Sequence, residues 1–478
     1  MIPTTVAEAA RRFGDRIAYV TEHGWSLTYA DLDRISDEVA VGLAREGVGA
    51  GDVVALVLPP GAEYLLAYCA AAKIGAITTG VNDRLSPPER AAVLGLADPK
   101  VTIDDAGAML RELRVPDATP PPLAVDPDRP VAIIFTSGTT GLPKGALYCN
   151  RQLAFITQTD TGGAWDTGGR SFSGTSFAHL GFMTKLPGSL QRGGTTFIME
   201  RWRAGDALEL LAREKMTTVA GVPTQLALML RRPDFDSYDL SSVRFIIAGG
   251  GPVTPGLADE ARRRFGAALA TRYSCTEAGI GLGTAFDDPE EDAVVSVGRP
   301  HASVEVALLD GDDHAVAAGE VGEVCLRSPA VMSGYWRDPV QTRAAFTADG
   351  FVRTGDLGWI DDRGRLRLVG RSKEMYVRGG YNVYPVEVES VLSTHPDLAA
   401  IAIVPRADDV MGEIGVAVVV PRDPARVPTL NELRTFAGDQ VAAYKLPEAL
   451  AVRSDLPLTA MEKVDRRALV AELNDLVT

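Results

Sequence analysis

The chain has 478 residues, of which 46% are hydrophobic and 23% charged, a composition typical of folded globular proteins and unlike disordered or fibrous chains. A single hydrophobic core stops growing at about 250–300 residues, so we expect at least two domains. The formal net charge of −15 and the lack of a long basic stripe argue against nucleic acid or an anionic membrane surface as a partner.

The first residues, MIPTTVAEAARRFGDRIAYV, predict an amphipathic helix and lack the basic-then-apolar order of a signal peptide. No apolar run approaches the roughly 20 residues that a membrane helix requires, so we predict no membrane span. Cys69, Cys149, Cys275 and Cys325 lack CxxC spacing, and we expect most of them to be reduced. These features favour a cytoplasmic protein.

Helix and strand patterns alternate through most of the chain. Residues 64–81 predict a helix followed by a short buried strand, and residues 131–138 predict a strand that enters a glycine-rich turn. Residues 243–251 repeat that strand-to-glycine pattern, whereas the Pro-rich residues 117–130 predict an exposed connection. Because the strands are apolar throughout and separated by helices, we predict an α/β fold whose sheets are covered on both faces.

Beyond about residue 300 the pattern changes. The segments VEVALLD, GEVCLRS and GRLRLVG predict short strands separated by turns, in a small β-barrel-like or antiparallel layer. From Arg371 onward the sequence predicts a helix followed by the strands IAIVP and GVAVVVP, which together form a small α+β unit. We therefore predict a large N-terminal domain over residues 1–370 and a small C-terminal domain over residues 371–478.

The segment TSGTTGLPKG (136–145) is the densest group of phosphate-compatible residues. It places three glycines, four hydroxyl side chains and one lysine in ten positions, directly after an apolar strand. Glycine lets the backbone approach a ligand closely, and amides, hydroxyls and an ammonium group together can hold a polyphosphate. The spacing is not that of a Walker A loop. A simple surface turn is the alternative, and the clustering of phosphate-compatible groups favours a polyphosphate site.

Four further motifs follow: YSCTE (273–277), RTGDLGWID (353–361), GRSKEMYVRGGYNVYP (370–385) and YKLPEALAVRSDLPLTAMEKVDRRAL (444–469). With TSGTTGLPKG, they resemble in type and order the adenylate-forming superfamily of acyl- and aryl-CoA synthetases, luciferases and peptide-synthetase adenylation domains. The resemblance runs from TYADLD (28–33) almost to the C-terminus. It implies that ATP activates a carboxylic acid as an acyl-adenylate, and that a thiol such as CoA then accepts the acyl group.

The resemblance also implies a nucleotide site. Tyr273 would stack on adenine, Asp356 would accept hydrogen bonds from the ribose hydroxyls, Thr276 would bond the α-phosphate, and Glu277 would hold Mg²⁺ with Thr140. The full set of implied ATP- or AMP-binding residues is Thr136, Ser137, Gly138, Thr139, Thr140, Lys144, Gly249, Gly250, Gly251, Tyr273, Asp356 and Arg371. Taken alone, Glu277 or Asp356 is more often a turn residue or a surface ion pair; the matched motifs favour the binding role.

Lys463 is the candidate for stabilising the charge that builds up during adenylation. The family has a glycine before this lysine, whereas this chain has Glu462. Lys373 occupies the family's hinge position, which implies that the small domain is mobile. Its rotation would replace the Lys463 face by the loop of Arg378, Gly379 and Gly380, which would line a tunnel for the thiol.

The acyl pocket is implied among SFAHLGF (176–182), GVPT (221–224) and CTEAGIGLG (275–283). Its candidate residues are His179, Gly181, Val222, Gly279 and Gly281, and His179 would be a catalytic gate near the carboxylate. A lone histidine is as often a structural group. Amino-acid-activating relatives place an aspartate in the first of these segments, and residues 177–182 contain none. We therefore expect a small apolar or aromatic acid.

Three hypotheses follow. The first is an AMP-forming acyl- or aryl-CoA ligase that uses ATP, Mg²⁺ and CoA. The second is a stand-alone ligase of secondary metabolism whose acceptor is a carrier protein, an amine or another group, including nitrite-dependent diazotisation of an aminobenzoate. The third is a binding module that keeps the fold without the chemistry; the retained Glu277, Asp356, Arg371 and Lys463 argue against it. A homodimer is compatible with each of them.

Overall fold

The computed structural model describes residues 1–136 and 143–475. The α-helices within these ranges are α1 (Ile2–Phe13), α2 (Tyr29–Arg45), α3 (Ala62–Lys73), α4 (Pro87–Ala97), α5 (Ala106–Glu112), α6 (Asn150–Thr161), α7 (Leu180–Met183), α8 (Leu186–Arg192), α9 (Ala204–Arg213), α10 (Pro223–Leu230), α11 (Pro255–Phe265), α12 (Asp292–Val295), α13 (Pro339–Ala345), α14 (Pro385–Leu392), α15 (Leu430–Ala437) and α16 (Arg466–Asp475).

The strands of the described residues are β1 (Ile17–Val20), β2 (Ser26–Thr28), β3 (Val53–Leu56), β4 (Ile77–Gly80), β5 (Val101–Ile103), β6 (Pro130–Phe135), β7 (Gly145–Cys149), β8 (Arg170–Ser173), β9 (Thr195–Ile198), β10 (Thr218–Gly221), β11 (Phe245–Gly249), β12 (Ala268–Tyr273), β13 (Leu282–Gly283), β14 (Arg299–Pro300), β15 (Glu305–Leu309), β16 (Gly322–Arg327), β17 (Val352–Ile360), β18 (Leu366–Arg371), β19 (Tyr376–Arg378), β20 (Tyr381–Val383), β21 (Leu398–Asp408), β22 (Gly412–Pro421) and β23 (Ala449–Val452).

The sheet of order β5-β3-β4-β6-β7 carries the glycine-rich loop. Its first four strands are parallel and β7 runs antiparallel to β6. All four residues of β3 are buried, as expected for a parallel strand covered on both faces. Helix α3 is apolar around its whole circumference, so it lies inside the molecule, and Tyr64 and Tyr68 are fully buried. A second sheet has the strand order β2-β1-β9-β8.

The third sheet, β10-β11-β12-β13-β14, carries Gly249 and Tyr273, two of the predicted nucleotide-binding residues. Strands β10, β11 and β12 are parallel, so their carboxyl ends meet at one edge. The register places Gly249 opposite Arg272, and Tyr273 is the last residue of β12. Ligands of parallel sheets bind at the carboxyl ends of the strands. This geometry explains why a glycine run and a tyrosine that lie far apart in sequence face the same space.

The predicted barrel-like layer is the antiparallel sheet β15-β16-β17-β18. Asp356 of β17 is paired in register with Arg371, the last residue of β18. The next strand, β19, begins at Tyr376 and belongs to a different sheet, β20-β19-β22-β21, to which β23 adds in parallel. That sheet has apolar clusters on both faces, one including Val388 of α14 and the other Leu469 of α16. It forms the core of the small C-terminal domain.

The predicted fold class is confirmed, since layered α/β sheets form a large N-terminal domain and a small α+β domain follows. The helix and strand predicted over residues 64–81 are α3 and β4, and the predicted amphipathic helix is α1. The four cysteines are free thiols. Among the described residues, none of the helices combines the length and the apolar character needed to cross a membrane.

Candidate functional site

A cleft of about 2510 Å³ lies between the edge of the N-terminal sheets and residues 458–467 of the C-terminal domain. It collects residues from motifs that are far apart in sequence. The predicted site residues that line it are Thr136, Lys144, His179, Val222, Gly250, Gly251, Tyr273, Glu277, Asp356, Arg371, Lys373 and Lys463. The fold therefore brings most of the predicted nucleotide residues and Lys463 to one place.

The glycine-rich segment joins β6 to β7. Its two ends are held together, because the Thr136 backbone N–H donates to the Lys144 carbonyl at 2.9 Å. Antiparallel pairing of Phe135 with Gly145 continues this contact into the sheet. Ser137, Gly138, Thr139 and Thr140 lie outside the described residues. Thr136 and Lys144 fix both ends of the segment at the wall of the cleft.

Lys144 and Glu277 are connected through Tyr335, a residue that the motif analysis missed. The Tyr335 hydroxyl donates to Glu277 Oε1 at 2.7 Å, and Lys144 Nζ lies 4.6 Å from the centre of the Tyr335 ring. Burial and the neighbouring Glu277 carboxylate raise the pKa of Tyr335, so the hydroxyl keeps its proton and remains a donor. A tyrosine in the SGYWRDP segment, between two recognised motifs, was the only sequence signal for this contact.

Asp356 accepts hydrogen bonds from two other predicted site residues. Its Oδ2 accepts from the Tyr273 hydroxyl at 2.7 Å, and its Oδ1 accepts from Arg371 Nε at 2.9 Å. Burial raises the pKa of Tyr273 well above its usual value, and Asp356 adds to the effect. Burial opposes the charge of Arg371, yet the adjacent Asp356 raises the pKa of that guanidinium. The three side chains are thereby held in one arrangement with Arg371 charged.

Lys463 enters the cleft on a tight loop of the C-terminal domain. The Thr459 backbone N–H donates to the Lys463 carbonyl at 2.7 Å, and Leu458 forms a bridge with Val464. Burial and the nearby Arg371 charge lower the pKa of Lys463, whereas the Asp356 carboxylate opposes that shift. The loop thus places an ammonium group close enough to Asp356 and Arg371 for their charges to act on it.

His179 lies at the inner wall, beside the end of β4. Asn82 Nδ2 donates to His179 Nε2 at 3.0 Å, which leaves the ring proton on Nδ1. Burial and the positive charge of Lys463 lower the pKa of His179 to about 4. The imidazole is therefore neutral at physiological pH. Asn82 was also missed, because a single buried asparagine after a strand has no motif of its own.

Arg272 is a further lining residue that sequence patterns did not single out. Its Nη1 donates to the carbonyls of Thr271 at 2.8 Å and Thr284 at 2.6 Å. Burial lowers its pKa. Within residues 1–136 and 143–475 it forms no salt bridge, and its Nε and Nη2 donate no hydrogen bond. A partly buried guanidinium with unused donors therefore lies beside Tyr273 at the wall of the cleft.

Several predicted residues lie outside the lining of the cleft. Gly279 and Gly281 pack against backbone, where a Cβ atom would lie 2.5 Å from the Ala330 carbonyl oxygen and 2.3 Å from the Tyr273 carbonyl oxygen. The others are Gly181 in α7, Gly249 at the end of β11, Thr276, whose carbonyl accepts from Tyr148, and the Arg378, Gly379 and Gly380 turn of the β19–β20 hairpin. The acyl-pocket and thiol-tunnel roles of these residues stay predictions.

The donor set fits a magnesium ion that a nucleotide largely coordinates. Glu277 supplies one carboxylate at the cleft wall, and its Oε1 is oriented by Tyr335. Mg²⁺ is commonly bound by one or two carboxylates together with phosphate and water oxygens. Across the part of the chain that the structure describes, no group of three His, Cys, Asp or Glu residues could form an all-protein metal site.

Comparison with known proteins identifies the family of this chain. Residues 6–336 match the family described as AMP-binding enzyme, and residues 387–463 match the AMP-binding enzyme C-terminal domain. A feruloyl-CoA synthase from Amycolatopsis sp is 34% identical over 476 residues, covering 95% of each chain. An indoleacetate–CoA ligase from Aromatoleum aromaticum is 34% identical over 482 residues, covering 93% of each chain.

The fold comparison agrees with the sequence comparison. The solved amide bond synthetase McbA from Marinactinospora thermotolerans superposes with a TM-score of 0.87 at 28% identity, over 99% of this chain and 100% of that one. The family match covers well over half of the sequence, and the curated relatives align along nearly all of it. This chain therefore belongs to the AMP-binding enzyme family of ATP-dependent, adenylate-forming ligases.

Proposed function

We propose that this protein is an AMP-forming acid:CoA ligase. It activates a small carboxylic acid with ATP as an acyl-adenylate, releases pyrophosphate, and transfers the acyl group to the thiol of CoA. The observation that carries the proposal is the meeting of Lys463, the Asp356–Arg371 pair and the Lys144–Tyr335–Glu277 contacts around one cleft. The two CoA-ligase relatives, which align along almost the whole chain, support CoA as the acceptor.

In the first half-reaction, a carboxylate oxygen attacks the α-phosphorus and the bond to pyrophosphate breaks. Negative charge grows on the phosphorus oxygens and on the departing group. Lys463 stabilises that charge, because a preorganised cation in a site partly shielded from water needs little reorganisation. Lys144 holds the pyrophosphate side, and Tyr273, Asp356 and Arg371 hold the nucleoside side. Mg²⁺, when bound, would neutralise phosphate charge, with Glu277 and Thr140 as the residues to hold it.

In the second half-reaction, the CoA thiol attacks the acyl carbonyl and AMP leaves. The β19–β20 hairpin with Arg378, Gly379 and Gly380 is the proposed thiol-side element. Arg378 donates to both carboxylate oxygens of Glu448, at 2.9 and 2.6 Å, so it is engaged within the C-terminal domain. A rotation of the C-terminal domain about Lys373 would bring the hairpin to the cleft and withdraw Lys463.

The acid is proposed to be small and apolar or aromatic. Ala178, Val222 and Ala248 line the inner part of the cleft beside His179, and the two curated relatives are named for aromatic acids. ATP and CoA are abundant in the cytoplasm, and the free cysteines suit a reducing compartment, so we also propose a cytoplasmic location.

A second candidate is transfer of the acyl group to an amine or another acceptor. The solved amide bond synthetase that superposes over nearly the whole chain favours it, because that protein is named for the formation of an amide bond. The two candidates share the adenylation half-reaction and differ only in the second nucleophile.

A panel of aryl and aliphatic acids tests both candidates. Pyrophosphate release is measured with and without CoA, and the products are identified by mass spectrometry. We expect acid-dependent pyrophosphate release and an acyl-CoA product. AMP formation without any consumption of CoA would favour the second candidate. If no acid in the panel releases pyrophosphate, adenylation itself is excluded for that panel and the ligase proposal fails.

A further inference from the structure

The residue before Lys463 has an unusual backbone conformation. Glu462 has a φ of 59°, in the left-handed region that favours glycine. The resemblance gives the family a glycine at this position, which would adopt that conformation without cost. This chain keeps the conformation and places a long acidic side chain on it. A compensating contact of the carboxylate is therefore expected.

That contact is an ion pair across the two domains. Arg84 Nη1 lies 2.9 Å from Glu462 Oε1, and their side chains are 31% and 15% exposed. The second carboxylate oxygen, Oε2, is buried and has no partner among the described residues. The Glu462 side chain is largely shielded from water, whereas Arg84 is about one third exposed. The pair joins the segment after β4 to the residue that precedes the candidate catalytic lysine.

Asn82 reinforces the same contact. Its Oδ1 accepts from the Arg84 backbone N–H at 3.0 Å, which fixes the turn that carries Arg84. Its Nδ2 lies 3.0 Å from His179 Nε2 and 3.4 Å from the Ala460 carbonyl, to which it also donates. Residues 82–84 therefore contact residues 460–462 at two points, on either side of Met461.

We propose that Arg84 and Glu462 are positioning residues that hold the Lys463 loop in the cleft for adenylation. The inference rests on the proposed function. Neither side chain is assigned a contact with substrate; the pair acts by fixing the loop. Since the pair joins the two domains, it must break when the C-terminal domain rotates for the second half-reaction. The pair therefore stabilises the domain arrangement used for adenylation relative to the rotated arrangement used for the second half-reaction.

Other ion pairs of the described residues also cross between the domains, and two of them provide the comparison. Glu260 of α11 pairs with Arg422 at 3.1 Å, and Arg231 pairs with Asp455 at 3.2 Å. If Arg84–Glu462 only kept the domains together, breaking Glu260–Arg422 would have the same consequence. If it positions the Lys463 loop, only the Arg84–Glu462 variants should affect adenylation selectively.

The variants are Glu462→Gln, Arg84→Gln, their double mutant, Glu462→Gly and, as the matched control, Arg422→Gln. Adenylation is measured as acid-dependent ATP–pyrophosphate exchange, and the second half-reaction as acyl-CoA formation from a supplied acyl-adenylate. We expect each Arg84 or Glu462 glutamine variant to lower the exchange rate about five- to tenfold and to leave thiolation unchanged or faster. The double mutant should match the singles, because both remove the same contact.

A second measurement does not depend on activity. Amide hydrogen exchange of the peptide covering residues 458–465 should become faster in Glu462→Gln and Arg84→Gln and stay unchanged in Arg422→Gln.

The Glu462→Gly variant removes the pair and also relieves the backbone strain. Its rate of ATP–pyrophosphate exchange should therefore lie between those of wild type and Glu462→Gln. Thermal melts confirm that every variant is folded.

Three results would overturn the proposal: equal losses in both half-reactions, additive losses in the double mutant, or the same loss in Arg422→Gln. Unchanged amide hydrogen exchange of residues 458–465 in both glutamine variants would overturn it as well. Failure of the wild-type protein to exchange pyrophosphate with any acid would reject the proposed function, and the positioning role with it. Wild-type exchange with unaffected variants would reject the positioning role alone.

Discussion

The two proposed halves of the cleft, one for the nucleotide and one for the acyl group, are built in different ways. In the proposed nucleotide half, side chains from distant segments bond to one another: Tyr273 and Arg371 to Asp356, and Tyr335 to Glu277. Elsewhere on the cleft wall, Ala178, Val222 and Ala248 present small apolar side chains, and Arg272 donates only to backbone carbonyls. The proposed nucleotide half is a network of hydrogen bonds between side chains. The shape of the proposed acyl half depends instead on the sizes of the side chains that line it.

This difference explains which half can vary. A residue in a hydrogen-bonded network cannot change without leaving its partner unsatisfied, so the network fixes several residue types at once. A residue that only lines a surface can change size or polarity with its neighbours still intact. We therefore expect the nucleotide chemistry to be encoded mostly in motifs, and the choice of acid in a few pocket side chains with no pattern between them.

The largest expected effect concerns Lys463. Lys463→Ala should lower ATP–pyrophosphate exchange by about 10²–10³-fold, because the charge that builds up on the reacting phosphate loses its cation. Thiolation of a supplied acyl-adenylate should be largely intact, since that step is proposed to use the other face of the C-terminal domain. The two half-reactions are measured separately, by exchange and by acyl-CoA formation.

Lys445→Ala is the matched control for Lys463. Lys445 lies in the same domain and pairs with Glu387 at 2.6 Å, without lining the cleft. It should leave the exchange rate near that of the wild type. Comparable losses in both half-reactions of Lys463→Ala would contradict the proposed domain rotation.

Lys144 tests the phosphate end of the nucleotide network. Lys144→Ala should raise the KM for ATP or slow pyrophosphate exchange by about 10–100-fold, because a cation near the departing pyrophosphate is lost. The KM for the acid should change much less. Steady-state kinetics with each substrate varied in turn measure both. Lys100→Ala, which removes a lysine paired with Asp52 at 2.8 Å outside the cleft, is the control. An unchanged ATP dependence would remove Lys144 from the site.

The fold was predictable because its signals are local. The uniformly apolar α3, the apolar strand β6 and the change to short strands after residue 300 each follow from hydrophobic pattern over a few residues. The meeting of Lys144, Asp356 and Lys463 was predictable only through the resemblance, because no local pattern states which loops of a long chain face one another.

The residues that were missed have a common property. Asn82, Arg84 and Tyr335 take their importance from a partner more than 50 residues away, and each stands in a segment without a recognisable motif. The departure at Glu462 was visible in the sequence, but its partner was not. The positive φ of Glu462 and its salt bridge to Arg84 are properties of the folded chain. Only the two together explain why a glutamate stands at this position.

Arg272 tests the acyl half. Its unused donors favour acids that present a hydrogen-bond acceptor away from the carboxylate, such as a ring hydroxyl. Arg272→Leu should lower the ratio of kcat/KM between hydroxylated and unsubstituted aryl acids about tenfold, with a smaller effect on the KM for ATP. Arg244→Leu, which removes an exposed arginine that also donates to backbone carbonyls, is the control. An unchanged ratio would exclude Arg272 as a selectivity residue.

The smallest expected effect is a pH dependence of stability that arises at the boundary of the two halves. The folded pKa of His179 is about 4, against an ordinary value of 6.5, because burial and the Lys463 charge disfavour the imidazolium. Between these two values the unfolded chain binds a proton that the folded chain does not. The free energy of unfolding therefore falls as the pH falls through this window.

His179→Asn should remove this contribution, so the loss of Tm between pH 6.5 and pH 5 should be smaller in the variant than in the wild type. Thermal melts over that range measure it. His314→Asn, at a side chain that is 79% exposed, should keep the wild-type dependence. Parallel Tm–pH curves for wild type and His179→Asn would mean that the imidazole is not held neutral by its position beside Lys463. The interaction between His179 and the loop that carries Lys463 would then need another explanation.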